Sequence, residues 1–423
     1  MTDTNANSYS DTLRKWQCGA AVVAVVGVPL CALAAVTSLE QFLRSYLVGF
    51  LFWWAVTLGF LGILMLYYLV GGRWGVAIKP LLECGTATVP LIAALFLPVA
   101  FGIQYLYPWA SASYDDAPPR QIETRSISEE TSEGRSITRS ETRREFRRFA
   151  HPNVLVTFAT PTSDPKSLYL NPTFFYGRAV GFFVVWLLLA FSFRPRQSNV
   201  PADRPRWRRL LSAGGLVALI LTVTFAAIDW AMSLDPQWYS TIYGTLVAIG
   251  GALAALALVT LSLAALGWCG RSMSTTNLRQ SLGDLGSLML AFLMLWAYFA
   301  FSQFLIIWSG NLPEENIWYV NRLQGGWQWM GLAIVALQFF VPFFALLSRE
   351  LKQRPRSLAA IAALVFVMQF FYFVWTLIPS FHPRQFLIDW ADVVVPVALG
   401  GLWASMFIGF LRRHVPQIVA MNQ

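Results

Sequence analysis

The sequence predicts an all-α, polytopic membrane protein with ten transmembrane helices. Composition, the spacing of apolar runs and the sidedness of positive charge lead to this class. Hydrophobic residues make up 56% of the 423 and charged residues only 13%; a soluble globule of this size has nowhere to put that much apolar surface. Apolar runs of about 20 residues cross a bilayer as helices, because a helix satisfies its own backbone inside hydrocarbon. Ten such runs occur, at 17–37, 45–70, 86–107, 174–193, 210–230, 239–267, 285–308, 327–348, 358–379 and 390–411.

The net charge of +9 is spread over alternate loops and does not gather on one face, so nucleic acid is not an expected partner. One set of loops and tails carries Arg14, Lys15, Arg73, Lys79, Arg194, Arg196, Arg204, Arg206, Arg208, Arg209, Arg271, Arg279, Arg349, Lys352, Arg354, Arg356, Arg412 and Arg413. The short loops of the other set hold only Arg44, Arg322 and Arg384. Positive residues stay on the cytoplasmic side, which predicts that both termini are cytoplasmic.

Taken in order, the first run holds Cys31 and Ala32-Leu33-Ala34, which superficially suggest a lipoprotein box and a signal-peptidase site. Leu30 is too large for the former, and the run is expected to be a retained span. The second span carries Trp53, Trp54, Gly59 and Gly62, a mix of large and small residues that permits close helix approach. The third contains Pro90 and Pro98, which remove backbone donors and predict a bend. Residues 110–172 form the one long loop, expected outside; Asp115 to Arg148 holds eight acidic and eight basic residues. That stretch is either a solvated loop or a docking segment, with Arg139–Phe149 a candidate amphipathic helix. After span four, Arg194–Arg209 is rich in Pro and Arg and divides the chain.

Residues 1–423 are therefore expected to form a single membrane domain. Short connections between spans six and nine predict a four-helix bundle over 239–380. Spans two to five are expected to form another over 43–230, with 110–172 as its extracytoplasmic insertion, and 17–37 and 390–411 are flanking helices.

The polar bridge Asp229–Gly244, DWAMSLDPQWYSTIYG, is the richest stretch. Asp229 and Asp235 stand among Trp230, Trp238, Tyr239 and Tyr243, where an aromatic belt marks the membrane surface. Asp235 before Pro236 reads as an N-cap of the next helix. The alternative for both carboxylates is proton exchange with a quinol or with water. Glu83 stands at the cytoplasmic mouth of span three, as a favourable charge at a helix N-terminus or as a proton entrance. Asp284 lies at the same level, Gln303 inside span seven, and His382 outside, near Asp389 and Asp392. A proton route between the two levels would run through Thr222, Thr224, Ser302, Gln303, Gln338, Gln369, Thr376 and water. Such side chains also bond simply to their own helices.

Other chemistries lack their residues. The three histidines, His151, His382 and His414, lie outside the spans, so axial haem ligation within a bundle is not expected. The cysteines Cys18, Cys31, Cys84 and Cys269 match no cluster or zinc spacing, and no phosphate-binding loop or nucleophile elbow occurs.

The hairpin DWAMSLDPQWYSTIYG, the run AYFAFSQFLIIWSGNLPEENIWYV and the stretch GGLWASMFIGFLRR together resemble the second large membrane subunit of bacterial alternative complex III. That family is related to the polysulfide-reductase-like membrane anchors. The resemblance covers the spans but not the charged insertion. It implies a subunit of a respiratory or photosynthetic quinol:electron acceptor oxidoreductase in the bacterial cytoplasmic membrane, giving scaffold and either quinone contact or proton translocation. The chain would bind no cofactor except quinone. Haems and iron–sulfur clusters would belong to partners: a sister polysulfide-reductase-like subunit, a peripheral iron–sulfur subunit and multihaem cytochrome c subunits, beside small membrane subunits and lipids. Asp229 and Asp235 fall on the family's hairpin motif. A secondary transporter and a purely structural anchor remain the competing classes.

Overall fold

A computed structural model describes residues 2–110, 169–194, 206–269, 275–383 and 385–413. Its regular elements are helices, with no strand among the described residues, and ten helical segments are long and apolar enough to cross a membrane. The protein is thus a multi-pass, all-α membrane protein. Most of the insertion, including Arg139–Phe149, lies outside the described residues.

The chain opens with α1 (Thr2–Thr37) and α2 (Leu39–Val70). Ser38 separates them and caps α2, its hydroxyl accepting from the Gln41 amide. The third span is not one helix but α3 (Arg73–Thr86), α4 (Val89–Leu95), α5 (Leu97–Phe101) and α6 (Ile103–Leu106). Pro90 and Pro98 stand at the starts of α4 and α5, so the helix is interrupted where the prolines fall. Then come α7 (Pro172–Ser192), α8 (Arg206–Trp230) and α9 (Tyr243–Cys269). Next are α10 (Thr275–Gly310), α11 (Pro313–Arg322) and α12 (Trp327–Ala333). A π-helical stretch, Ile334–Phe340, joins α12 to α13 (Val341–Leu347); α14 (Arg349–Gln353), α15 (Pro355–Phe381) and α16 (Ala391–Arg413) complete the chain.

Two expectations are corrected here. Arg73–Gly85 is not a loop before the third span but helix α3, so Lys79 sits within a helix. Glu83 accordingly lies in the last turn of α3, with the Ala87 amide bonded to its carbonyl, and not at a helix N-terminus.

Helix α2 is the centre of the molecule: 89% of its apolar window is buried within the chain. It packs on α9, α16, α3 and α8, while α1 packs chiefly on α16. The α2–α9 seam is closed by glycines. A Cβ at Gly59 would stand 2.3 Å from the Gly251 carbonyl oxygen, and one at Gly251 would stand 2.3 Å from that of Ala55. Only hydrogen side chains allow two backbones this close. Around the seam lies an aromatic interior in which Trp54, Trp186, Trp230 and Trp403 are fully buried.

Candidate functional site

Most of the polar side chains singled out from the sequence gather at two levels of the bundle. The hairpin level holds the amino-terminal ends of α2, α9 and α16 and the carboxy-terminal ends of α8 and α15.

At that level Asp229, fully buried at the end of α8, is gripped by Arg178 of α7. Arg178 Nε donates to Oδ2 at 2.7 Å and Nη2 to Oδ1 at 3.1 Å, a two-pronged pair. Arg178 Nη1 also donates to the Tyr169 carbonyl at 2.9 Å, and the guanidinium lies 3.8 Å from the Tyr169 ring centroid. Burial, and then the Asp229 charge, push the Tyr169 phenol well up.

Asp235 does not cap the following helix. Its residue closes the short 3-10 turn Met232–Leu234, and helix α9 begins only at Tyr243. Its carboxylate instead accepts from Ser380 Oγ at 2.6 Å and lies 3.5 Å from Arg322 Nη2. Arg322, at the end of α11, has a fully buried side chain, whereas that of Asp235 is 26% exposed. The guanidinium lies 3.6 Å from the Trp318 ring centroid, and it donates to the carbonyls of Trp318 and Thr376 and to Ser380 Oγ. Burial lowers the pKa of Arg322, and Asp235 opposes that shift.

Inward from this cluster, α15 presents Ser380, Thr376, Tyr372 and Gln369, three or four residues apart and so along one face. Tyr243 of α9, also buried, lies beside Thr376. Gln303, nearly buried, accepts from Ser240 Oγ at 3.2 Å and donates to the Tyr319 hydroxyl at 3.4 Å. Burial pushes the Tyr319 phenol up to about 12. Deeper still, Gln338 of the π-helical stretch donates to Gln369 at 2.7 Å.

A third carboxylate cluster joins α2 to α16. Asp392 accepts from Ser45 Oγ at 2.6 Å and from Gln41 Nε2 at 3.3 Å. Its other oxygen accepts from the Asp389 amide at 2.9 Å, while Asp389 Oδ1 accepts from the Ala391 amide at 2.9 Å, which fixes the start of α16. His382, half-buried at the end of α15, faces Arg44, Asp392 and Glu40. Burial, and then the Arg44 charge, hold its pKa below the usual histidine value.

At the opposite end of α2, Glu83 accepts from the Tyr68 hydroxyl at 3.3 Å, and Arg208 donates to that same hydroxyl at 2.6 Å. Asp284 does not join it: the residue is half-buried on α10, with no hydrogen bond or ion pair from a described residue. Of the six candidates, then, Asp229, Asp235, Gln303 and His382 belong to the hairpin level, in separate clusters. Glu83 and Asp284 do not.

Sequence reasoning missed Arg178 as a partner and treated Arg322 only as a topological marker. The signal for Arg178 was present: an arginine in a run otherwise free of charge, Pro172–Ser192, demands a counter-ion. Among the described residues, no three or more His, Cys, Asp or Glu side chains gather as a metal site requires. No protein-family model matches the chain, and no curated protein matches it significantly in sequence.

Proposed function

We propose that this chain is an integral membrane subunit of a quinol:electron acceptor oxidoreductase of the alternative complex III kind, adding no redox centre of its own and moving protons at its hairpin level. Its setting is the bacterial cytoplasmic membrane with both termini inside. Its partners are a sister membrane subunit, an iron–sulfur subunit, multihaem cytochromes and small membrane subunits, with lipid around them and quinone as the one cofactor in reach. The hairpin, span-seven and span-ten motifs support the membership.

The observation that carries the proton reading is the Asp235–Ser380–Arg322 cluster. Asp235 reaches solvent while Arg322 is fully buried and Ser380 half-buried, and Thr376, Tyr243, Tyr372, Gln369 and Gln338 continue the polar line inward. From Ser380 to Gln369 the α15 face rises about 16 Å, roughly half the hydrocarbon thickness of a bilayer. A carboxylic acid at the mouth of such a line accepts and returns protons, and hydroxyls and amides relay them through bound water.

The test uses the whole assembly in sealed vesicles with a pH-sensitive dye. Asp235→Asn should leave quinol oxidation running and cut the protons released per electron. Unchanged proton release and unchanged oxidation would leave the chain a structural anchor.

The interrupted third span favours a second reading, secondary transport, since transporters build sites where helices break. Solute uptake by vesicles holding this chain without partners would select that reading.

A further inference from the structure

The π-helical stretch Ile334–Phe340 has a local cause. Pro342, two residues beyond it, has no amide hydrogen to bond the Gln338 carbonyl, and its ring crowds that carbonyl. A wider turn relieves the crowding. Neighbouring side chains point outward, with Val335, Leu337 and Phe340 exposed, yet Gln338 is fully buried. It meets Gln369 of α15, also fully buried, through the single 2.7 Å bond from Gln338 Nε2 to Gln369 Oε1.

A single bond between two side-chain amides leaves one oxygen and one amino group over, whichever way the amides are turned. Here Gln338 Oε1 and Gln369 Nε2 have no partner, nor has the indole Nε1 of buried Trp296. Each orphan is costly in a protein interior unless something pairs it. Helix α9 makes room for two of these side chains: a Cβ at Gly250 would stand 2.4 Å from Gln369 Nε2 and 3.7 Å from Trp296 Cδ1. The amide and the indole therefore converge on one glycine.

We infer that Gln338 and Gln369 hold a single water molecule in the interior of the bundle, with Trp296 as its third partner. The water donates to Gln338 Oε1 and accepts from Gln369 Nε2 and Trp296 Nε1. Three partners is the usual number for a buried water. The donor set also selects the ligand: one acceptor is too few for a cation, and two neutral donors without positive charge are too weak for an anion. This assignment stands whether or not the chain conducts protons.

The test is infrared spectroscopy of the full chain in lipid nanodiscs, with whatever subunits accompany it, before and after exchange into H2(18)O. The wild type should show a narrow water O–H band that shifts with the isotope and is missing from Gln338→Leu and Gln369→Leu. Gly250→Ala keeps both amides but displaces the Gln369 amino group, so it should move or abolish the band. A wild type with no isotope-sensitive band would mean a dry amide pair and overturn the inference. So would a band untouched by all three substitutions. Should the leucine variants not fold, an unchanged band in Gly250→Ala is by itself the overturning result.

Discussion

Arg178 and Asp229 form a two-pronged ion pair between α7 and α8, with the carboxylate fully buried. Removing one partner strands the other charge away from water, whereas removing both does not. Asp229→Leu alone should therefore destabilise the chain by about 3–5 kcal/mol. Arg178→Met combined with Asp229→Leu should recover most of that loss. Thermal denaturation of the wild type, each single variant and the double variant in detergent checks the cycle, and a double variant no better than Asp229→Leu would refute the pairing argument.

Arg322 should not tolerate lysine. Its guanidinium serves two carbonyls and Ser380 Oγ while stacking on Trp318, a set of directions an ammonium cannot reproduce. Arg322→Lys should cost about 1.5–3 kcal/mol, the worth of one charged hydrogen bond lost. Equal melting temperatures for the variant and the wild type would show that the fork geometry is unimportant.

The α2–α9 seam should reject a single methyl group. Gly59→Ala and Gly251→Ala each drive a carbon into a facing carbonyl, and overpacking of this kind costs about 1–3 kcal/mol. Gly177→Ala, where an added Cβ meets nothing within 4 Å, is the control and should be silent. The comparison is read from yield and melting temperature.

His382 gives the hairpin level a pH dependence. Its pKa is lowered in the folded chain, so the unfolded chain takes up its proton at the higher pH. Its stabilising share is present above the unfolded value of about 6.5 and is lost as pH falls through the folded value. Melting temperatures should decline as pH drops below about 6.5, and His382→Gln should flatten that part of the slope. A slope identical in the variant would assign the decline to other groups.

Which parts of this molecule can be read from its sequence follows from how far each interaction reaches. The spans emerge from hydropathy because each is a local property of about 20 residues. Helix α3 escapes that reading because Lys79, Pro80 and Glu83 break the apolar run, and only tertiary partners make them acceptable. Glu83 is satisfied by Tyr68, and the Lys79 ammonium lies 5.9 Å from the centroid of the same ring. Asp235 beside Pro236 carries a local capping signal, and long-range chemistry outweighs it: Ser380 lies 145 positions away and Arg322 87. Asp229 was legible as a carboxylate at a helix end but not as half of a pair, since pairing depends on how α7 leans on α8.

Helix α2 depends on α16 for several of its polar partners. Ser45 donates to Asp392, the Trp53 indole donates to the Pro396 carbonyl, and Thr57 accepts from Trp403, 346 positions later. Until α16 is synthesised and inserted, those groups must be sheltered by lipid headgroups, by water or by an insertion chaperone. A growing chain halted before residue 391 would carry an unfinished central mast, marked as incomplete by the polar atoms it still shows to the bilayer.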